Sequence, residues 1–126
     1  MEDCSARSTK WKSGNMVEVT DDMMKEFLAK VRPYTLMILH KTSKFKMPDV
    51  SATVWEHGRR NMQFRLEGKM NITCPVHDET DLAGIIVFST DLEETRRIMD
   101  GDPGVKAGIF AYELHATKAL PGSSLK

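Results

Sequence analysis

The chain lacks an excess of charge of either sign. Its 126 residues include 18 basic and 18 acidic side chains, which gives a formal net charge of zero. The two signs alternate along the sequence instead of forming blocks. Proteins that bind nucleic acid or anionic membranes carry a basic surface, because phosphate groups are bound largely by positive charge. We therefore expect neither nucleic acid nor a membrane among the partners.

Long hydrophobic runs and cysteines are also scarce. The longest apolar runs, around residues 35–39 and 83–88, have the length of a β-strand and fall far short of the roughly 20 residues that cross a bilayer. The first residues include two acids and no apolar segment typical of a secretory signal. The two cysteines, Cys4 and Cys74, are too few for a disulfide scaffold. We expect a cytoplasmic protein whose cysteines are thiols.

Several catalytic motifs are missing. The sequence contains no Walker-type loop, no Gly-x-Gly-x-x-Gly and no Gly-x-Ser-x-Gly elbow, so nucleotide-dependent and serine-hydrolase chemistry are not indicated. Cys74 and His77 have no second ligand pair at a zinc-like spacing. We expect no metal and no cofactor. Haem or flavin chemistry would have only His40 or His115 as conceivable axial ligands.

The predicted elements follow the order strand, helix, strand, strand, helix, strand after an additional N-terminal helix. This order is typical of an α+β, ferredoxin-like βαββαβ fold with an antiparallel sheet. We predict an N-terminal tail at 1–19, a single domain at 20–118 and a C-terminal tail at 119–126. Within the domain, helices are predicted at 20–32, 48–67 and 91–99, a helical turn at 103–106, and strands at 34–42, 69–74, 82–89 and 108–116.

The long middle helix carries the first candidate site residues. At about 100° per residue, His57 and Asn61 fall within its apolar arc, beside Gly58, where the helix should meet the sheet. Asp102 precedes Pro103, which is typical of an N-cap followed by proline at the first helical position.

His57 and Asp102 together could form an acid–base pair. Histidine changes charge near neutral pH and serves as a general acid or base, and Asp102 would orient its ring. The structural alternatives are a hydrogen-bonded core histidine and an aspartate that only caps its own turn. Asn61, one helical turn beyond His57, could donate a hydrogen bond to a substrate. Further candidates for substrate binding, each with an alternative as a solvated or packing residue, are Arg60, Tyr34 and His40.

Four features of the sequence form a pattern: His57 in the first core helix, Gly68-Lys-Met-Asn-Ile, Leu92-Glu-Glu-Thr, and Asp102-Pro-Gly-Val-Lys-Ala-Gly108 followed by Phe110-Ala-Tyr-Glu-Leu. In this pattern the chain resembles the YciI-like family (YCII-related domain), and the resemblance covers roughly Tyr34 to His115.

The resemblance implies a ferredoxin-like fold that dimerises into an α+β barrel, with a cleft containing a His-Asp pair at His57 and Asp102. It implies a homodimer that could act as a cofactor-independent acid–base enzyme of the dehydrochlorinase, lyase or isomerase type. The substrate would be a small aromatic or lactone-like molecule. Gly104 departs from the family pattern, in which a bulky residue often follows Asp-Pro, and this departure predicts a wider pocket.

The alternative is a non-catalytic dimeric module that binds a small molecule or a protein. It predicts that no pocket opens near His57, because side chains such as Phe64 or Met62 fill that space. The sequence leaves open whether the protein is an enzyme.

Overall fold

A computed structural model describes residues 16–126, and Cys4 with most of the predicted N-terminal tail lies outside this range. The chain divides into two compact units, with the boundary after Lys30. The described part of the first unit contains helix α1 (Asp21–Lys30), whose residues are all at least partly exposed. The helix ends before the predicted residue 32, because the residue preceding Pro33 favours extended backbone. Within 16–126, no helix is long and apolar enough to span a bilayer.

The second unit, Val31–Lys126, has the predicted ferredoxin-like α+β arrangement. Its four strands form one sheet in the order β2-β3-β1-β4, and every neighbouring pair is antiparallel. The elements are β1 (Arg32–Lys41), a 3₁₀ turn (Ser43–Lys46), α2 (Ser51–Leu66), β2 (Met70–Pro75), β3 (Leu82–Phe88), α3 (Leu92–Asp100), α4 (Pro103–Lys106) and β4 (Phe110–Ala119).

Local signals explain where these helices begin and end. Asp91 caps α3, because its carboxylate accepts a hydrogen bond from the backbone N–H of Glu94 at 2.8 Å. Gly68 follows α2 with a φ of 81°, a conformation that glycine adopts without steric cost and that ends a helix. Both features were predicted from the sequence.

The two faces of the sheet differ in their surroundings. Alternate residues of a strand point to opposite faces. One face, which we call the helix-covered face, packs Met37, Leu39, Ile86 and Phe88 into a buried core that includes Ile98 of α3. The opposite face, which we call the second face, carries a partly exposed apolar patch between paired strands: Leu36, Ile38, Ile72, Ile85 and Val87.

Candidate active site

The turn that begins α4 positions the candidate carboxylate. Asp102 has extended backbone, and its Oδ2 accepts hydrogen bonds from the backbone N–H groups of Gly104 at 3.0 Å and Val105 at 3.2 Å. Pro103 lacks an N–H group, so the first helical position leaves no donor unpaired. Asp102 is 0 % exposed. The predicted cap is confirmed, and it fixes the carboxylate beneath α2.

The same carboxylate contacts His57 of α2. Nδ1 of the imidazole lies 2.8 Å from Oδ1 and 2.9 Å from Oδ2 of Asp102, and His57 is buried. Among the described residues, the hydrogen-bond partners of the carboxylate are Nδ1 of His57 and two backbone N–H groups. A carboxylate accepts hydrogen bonds and does not donate them, so we assign the ring proton to Nδ1. In a neutral imidazole, Nε2 then carries the lone pair and acts as an acceptor. The predicted contact between the two residues is therefore present, with a defined orientation of the ring.

Phe110, the first residue of β4, holds the imidazole from another side. The two ring centroids are 4.7 Å apart. The same phenyl ring packs on Gly104, where an added Cβ would lie 2.4 Å from Phe110 Cδ2. The prediction that Gly104 widens the pocket is wrong, because the space that the missing side chain leaves is filled by this ring.

A cavity of about 510 Å³ opens beside His57, within the size range of small-molecule sites. Met62 lines it and is 56 % exposed, while Phe64 packs beneath the guanidinium of Arg60. The prediction that these two side chains fill the space is therefore wrong. The wall is formed by Leu39, Lys41, Phe45, Val54, His57, Gly58, Asn61, Met62, Arg65, Thr73, Pro75, Val76, His77, Ala83 and Phe110.

Asn61 reaches the free side of the imidazole. Its Nδ2 lies 3.3 Å from Nε2 of His57, and it also lines the cavity. An amide N–H can donate only to a nitrogen that carries a lone pair, so this contact agrees with a proton on Nδ1. Any ligand that bonds to Nε2 must share or displace the Asn61 amide.

The other predicted binding residues lie elsewhere. Arg60 donates from Nη1 to the carbonyl of Ile98 at 2.7 Å, which ties α2 to the C-terminal end of α3. His40 lies on the second face, where its Nε2 contacts Glu113 at 2.9 Å. Tyr34 belongs to the same alternating set as His40 on β1. None of these three side chains belongs to the cavity wall around His57.

Three polar side chains of the wall were not predicted as site residues from the sequence: the cations Lys41 and Arg65, and the imidazole of His77. Arg65 had a usable signal, because it follows His57 and Asn61 at four-residue intervals and therefore shares their side of the helix. Phe45 and His77 lie in connecting segments, and no periodic pattern places such residues.

The histidines of the second face are already hydrogen-bonded. Nε2 of His115 lies 2.7 Å from Glu113, so an axial ligand role for His40 or His115 through Nε2 would require displacing this carboxylate. Between residues 16 and 126, no group of three or more His, Cys, Asp or Glu side chains could hold a metal ion. Cys74 is an exposed free thiol.

Comparisons with known proteins do not assign the chain to a family. No protein-family model matches the chain, and no curated protein sequence is detectably similar. One solved structure with a related arrangement is 5-chloro-2-hydroxyhydroquinone dehydrochlorinase from Burkholderia phenoliruptrix, in complex with 2,5-dihydroxybenzoquinone. It is 13% identical, the match covers 65% of this chain and 90% of that chain, and the TM-score is 0.49.

Proposed function

We propose that this protein is a YciI-like, cofactor-independent acid–base enzyme of the lyase or isomerase type, acting on a small aromatic or lactone-like substrate. One observation carries the proposal. His57 contacts a fully buried carboxylate through Nδ1, its Nε2 lies beside the amide of Asn61, and both His57 and Asn61 line an open cavity. A core histidine that serves only packing has no need to line a ligand-sized space together with a second polar side chain.

The proposed reaction needs only one proton and one base. Nε2 of His57 accepts a proton from a C–H or O–H group of the substrate, and Asp102 stabilises the resulting imidazolium. The proton then returns to another carbon, which completes an isomerisation. In an elimination it is released while the substrate loses an anionic leaving group. Phe45, Phe110 and Val54 would hold the ring and exclude water.

Asp102→Asn tests the assignment of the base. The new amide oxygen can still accept from the Gly104 and Val105 N–H groups, but the amide N–H would donate to Nδ1 of His57. The ring proton would then move to Nε2, as expected for this substitution in a catalytic triad. We expect the ¹⁵N NMR signals of His57 to report a proton on Nδ1 in the wild type and on Nε2 in the variant. A wild-type imidazole that already carries its proton on Nε2 would refute the proposed base.

His57→Gln tests catalysis. Purified protein is incubated in D₂O with chlorohydroquinone or a substituted butenolide, and NMR follows loss of the compound or uptake of deuterium. We expect the wild type to accelerate one of these changes and the folded variant to lose the acceleration. His40→Gln is the control, since it removes an imidazole from the opposite face. Equal rates in the wild type and in His57→Gln would show that this imidazole performs no chemistry on these compounds.

We further propose that two chains associate through their second faces. The support is the apolar patch of Leu36, Ile38, Ile72, Ile85 and Val87, which one chain leaves partly exposed; such patches commonly mark interaction sites. Ile38→Glu places a charge in the patch, and sedimentation should change from dimer to monomer. Lys118→Glu, at an exposed position on β4, should remain dimeric. A monomeric wild type at micromolar concentration would rule out a stable dimer.

A further inference from the structure

We infer that the cavity beside His57 selects a small planar organic anion, with the negative group at the mouth near Arg65 and the ring against Phe45 and Phe110. The inference rests on the proposed function and adds the charge class of its substrate. It comes from the distribution of charge around the cavity, which the acid–base pair alone does not determine.

The charged groups of the wall share one sign. Lys41 ends β1 and Arg65 lies in the last turn of α2, so cationic side chains arrive from two different elements. Of the described residues that line the cavity, none is acidic. The nearby carboxylate of Asp102 lies behind His57, has no exposed surface and is occupied by nitrogen donors. A negative ligand therefore meets attraction without a matching repulsion inside the wall.

The first acid of the loop that follows His77 forms hydrogen bonds within that loop. Asp78 accepts hydrogen bonds from the backbone N–H and the hydroxyl of Thr80 at 3.0 and 2.6 Å. These bonds lower the pKa of Asp78, and the charge of Lys41 lowers it further. Asp78 does not belong to the cavity wall, but its negative charge offsets part of the positive charge of Lys41.

Arg65 is then the principal anchor. Within the part of the chain that the structure describes, it forms no ion pair. Its fixed charge and flat array of donors suit a carboxylate or phenolate oxygen.

The interior of the cavity is the reason for proposing a planar ring in the ligand. Phe45 and Phe110 lie with their centroids 5.7 Å apart, and Leu39, Val54 and Ala83 complete a mostly apolar wall. Apolar walls bind rings through buried area, whereas charged groups fix the orientation. A ligand held in this way would direct the side opposite its anionic group toward Nε2 of His57.

Benzoate, benzamide and benzylamine test the inference, because they share one ring and differ in charge. Each is titrated at neutral pH into ¹⁵N-labelled protein while NMR follows His57 and Phe110. We expect benzoate to shift both residues and to bind about tenfold more tightly than benzamide, since a charged hydrogen bond at a partly exposed site contributes about one such factor. Benzylamine should bind most weakly.

Arg65→Met should remove the preference for benzoate and leave benzamide binding unchanged. Arg97→Met makes the same change of charge on α3, where Arg97 pairs with Glu93 in solvent, and should keep the preference. Arg65→Lys, which retains the charge, should keep most of the preference for benzoate.

Each contrary result has a separate meaning. Benzamide binding beside His57 as tightly as benzoate would overturn the anion preference and leave the acid–base proposal standing. An equal loss in Arg65→Met and Arg97→Met would attribute the preference to net charge and overturn the inference. Binding that shifts neither His57 nor Phe110 would remove the cavity as the ligand site, and the proposed function would fall with the inference.

Discussion

Three imidazole–carboxylate contacts of nearly the same length lie on the two opposite faces of one sheet. On the helix-covered face, His57 lies 2.8 Å from Asp102. On the second face, His40 and His115 lie 2.9 and 2.7 Å from Glu113. The contacts differ in exposure, because the Asp102 side chain is 0% exposed and that of Glu113 is 47% exposed.

The nitrogen–oxygen distance therefore does not distinguish a candidate catalytic pair from a surface cluster. The ring nitrogen that makes the contact does distinguish them. His40 and His115 use Nε2 to contact Glu113, whereas His57 uses Nδ1 and leaves Nε2 beside the Asn61 amide at the cavity wall. The buried carboxylate also receives two backbone N–H groups, which fix its position. Burial and orientation together give the inner pair the form of a general base with its orienting acid.

Removing each carboxylate tests this difference most strongly. Asp102→Ala deletes a helix cap, worth about 1 kcal/mol, and leaves buried donors unpaired, which costs a further 1–3 kcal/mol or so. We expect the free energy of unfolding in urea to fall by about 2–4 kcal/mol. Glu113→Ala should change it far less, because exposed ion pairs contribute little. Equal losses in the two variants would mean that burial does not distinguish the pairs.

Two glycines near His57 give a smaller test of how tightly this side is packed. Gly104→Ala brings a Cβ to 2.4 Å from the Phe110 ring, and overpacking of this kind costs about 1–3 kcal/mol. Gly58→Ala meets nothing within 4 Å and should stabilise α2 by about 0.5–1 kcal/mol. Thermal unfolding measures both. Similar shifts in the same direction would show that Phe110 yields easily and does not fix the imidazole.

The elements, and the positions of His57 and Asp102 within them, were predictable because their signals are local. The contact between these two residues spans 45 positions and was expected from the family resemblance. The caps at Asp91 and Asp102 act within three residues. The inward position of His57 follows from helical periodicity, which needs only the neighbouring turns. The fold followed from the order of these elements.

The remaining contacts were not predictable, because they join residues far apart in the chain. Arg60 bonds to Ile98, 38 positions away, and no local pattern distinguishes this contact from a solvated arginine. His40 presents another difficulty. Both alternating sets of β1 contain apolar residues, with Met37 and Leu39 on one face and Leu36 and Ile38 on the other. The alternation of side chains along β1 therefore does not reveal which face of the sheet the helices cover.

The smallest expected effect is the pH dependence of the outer cluster. Hydrogen bonds from His115 and His40 hold the pKa of Glu113 below its usual value of 4.5. A lowered pKa in the folded state contributes stability above pH 4.5 or so that is lost as the pH falls through the folded value, because the unfolded chain binds the proton first. The contribution is small because Glu113 is exposed.

Glu113→Gln removes this titration. We expect the free energy of unfolding of the wild type to exceed that of the variant by a small amount near pH 6, and the excess to shrink as the pH falls below about 4.5. Urea titrations at a series of pH values measure both proteins. An excess that does not shrink as the pH falls below about 4.5 would show that the two imidazoles do not hold Glu113 in solution. The outer contact would then differ from the inner pair in persistence as well as in burial.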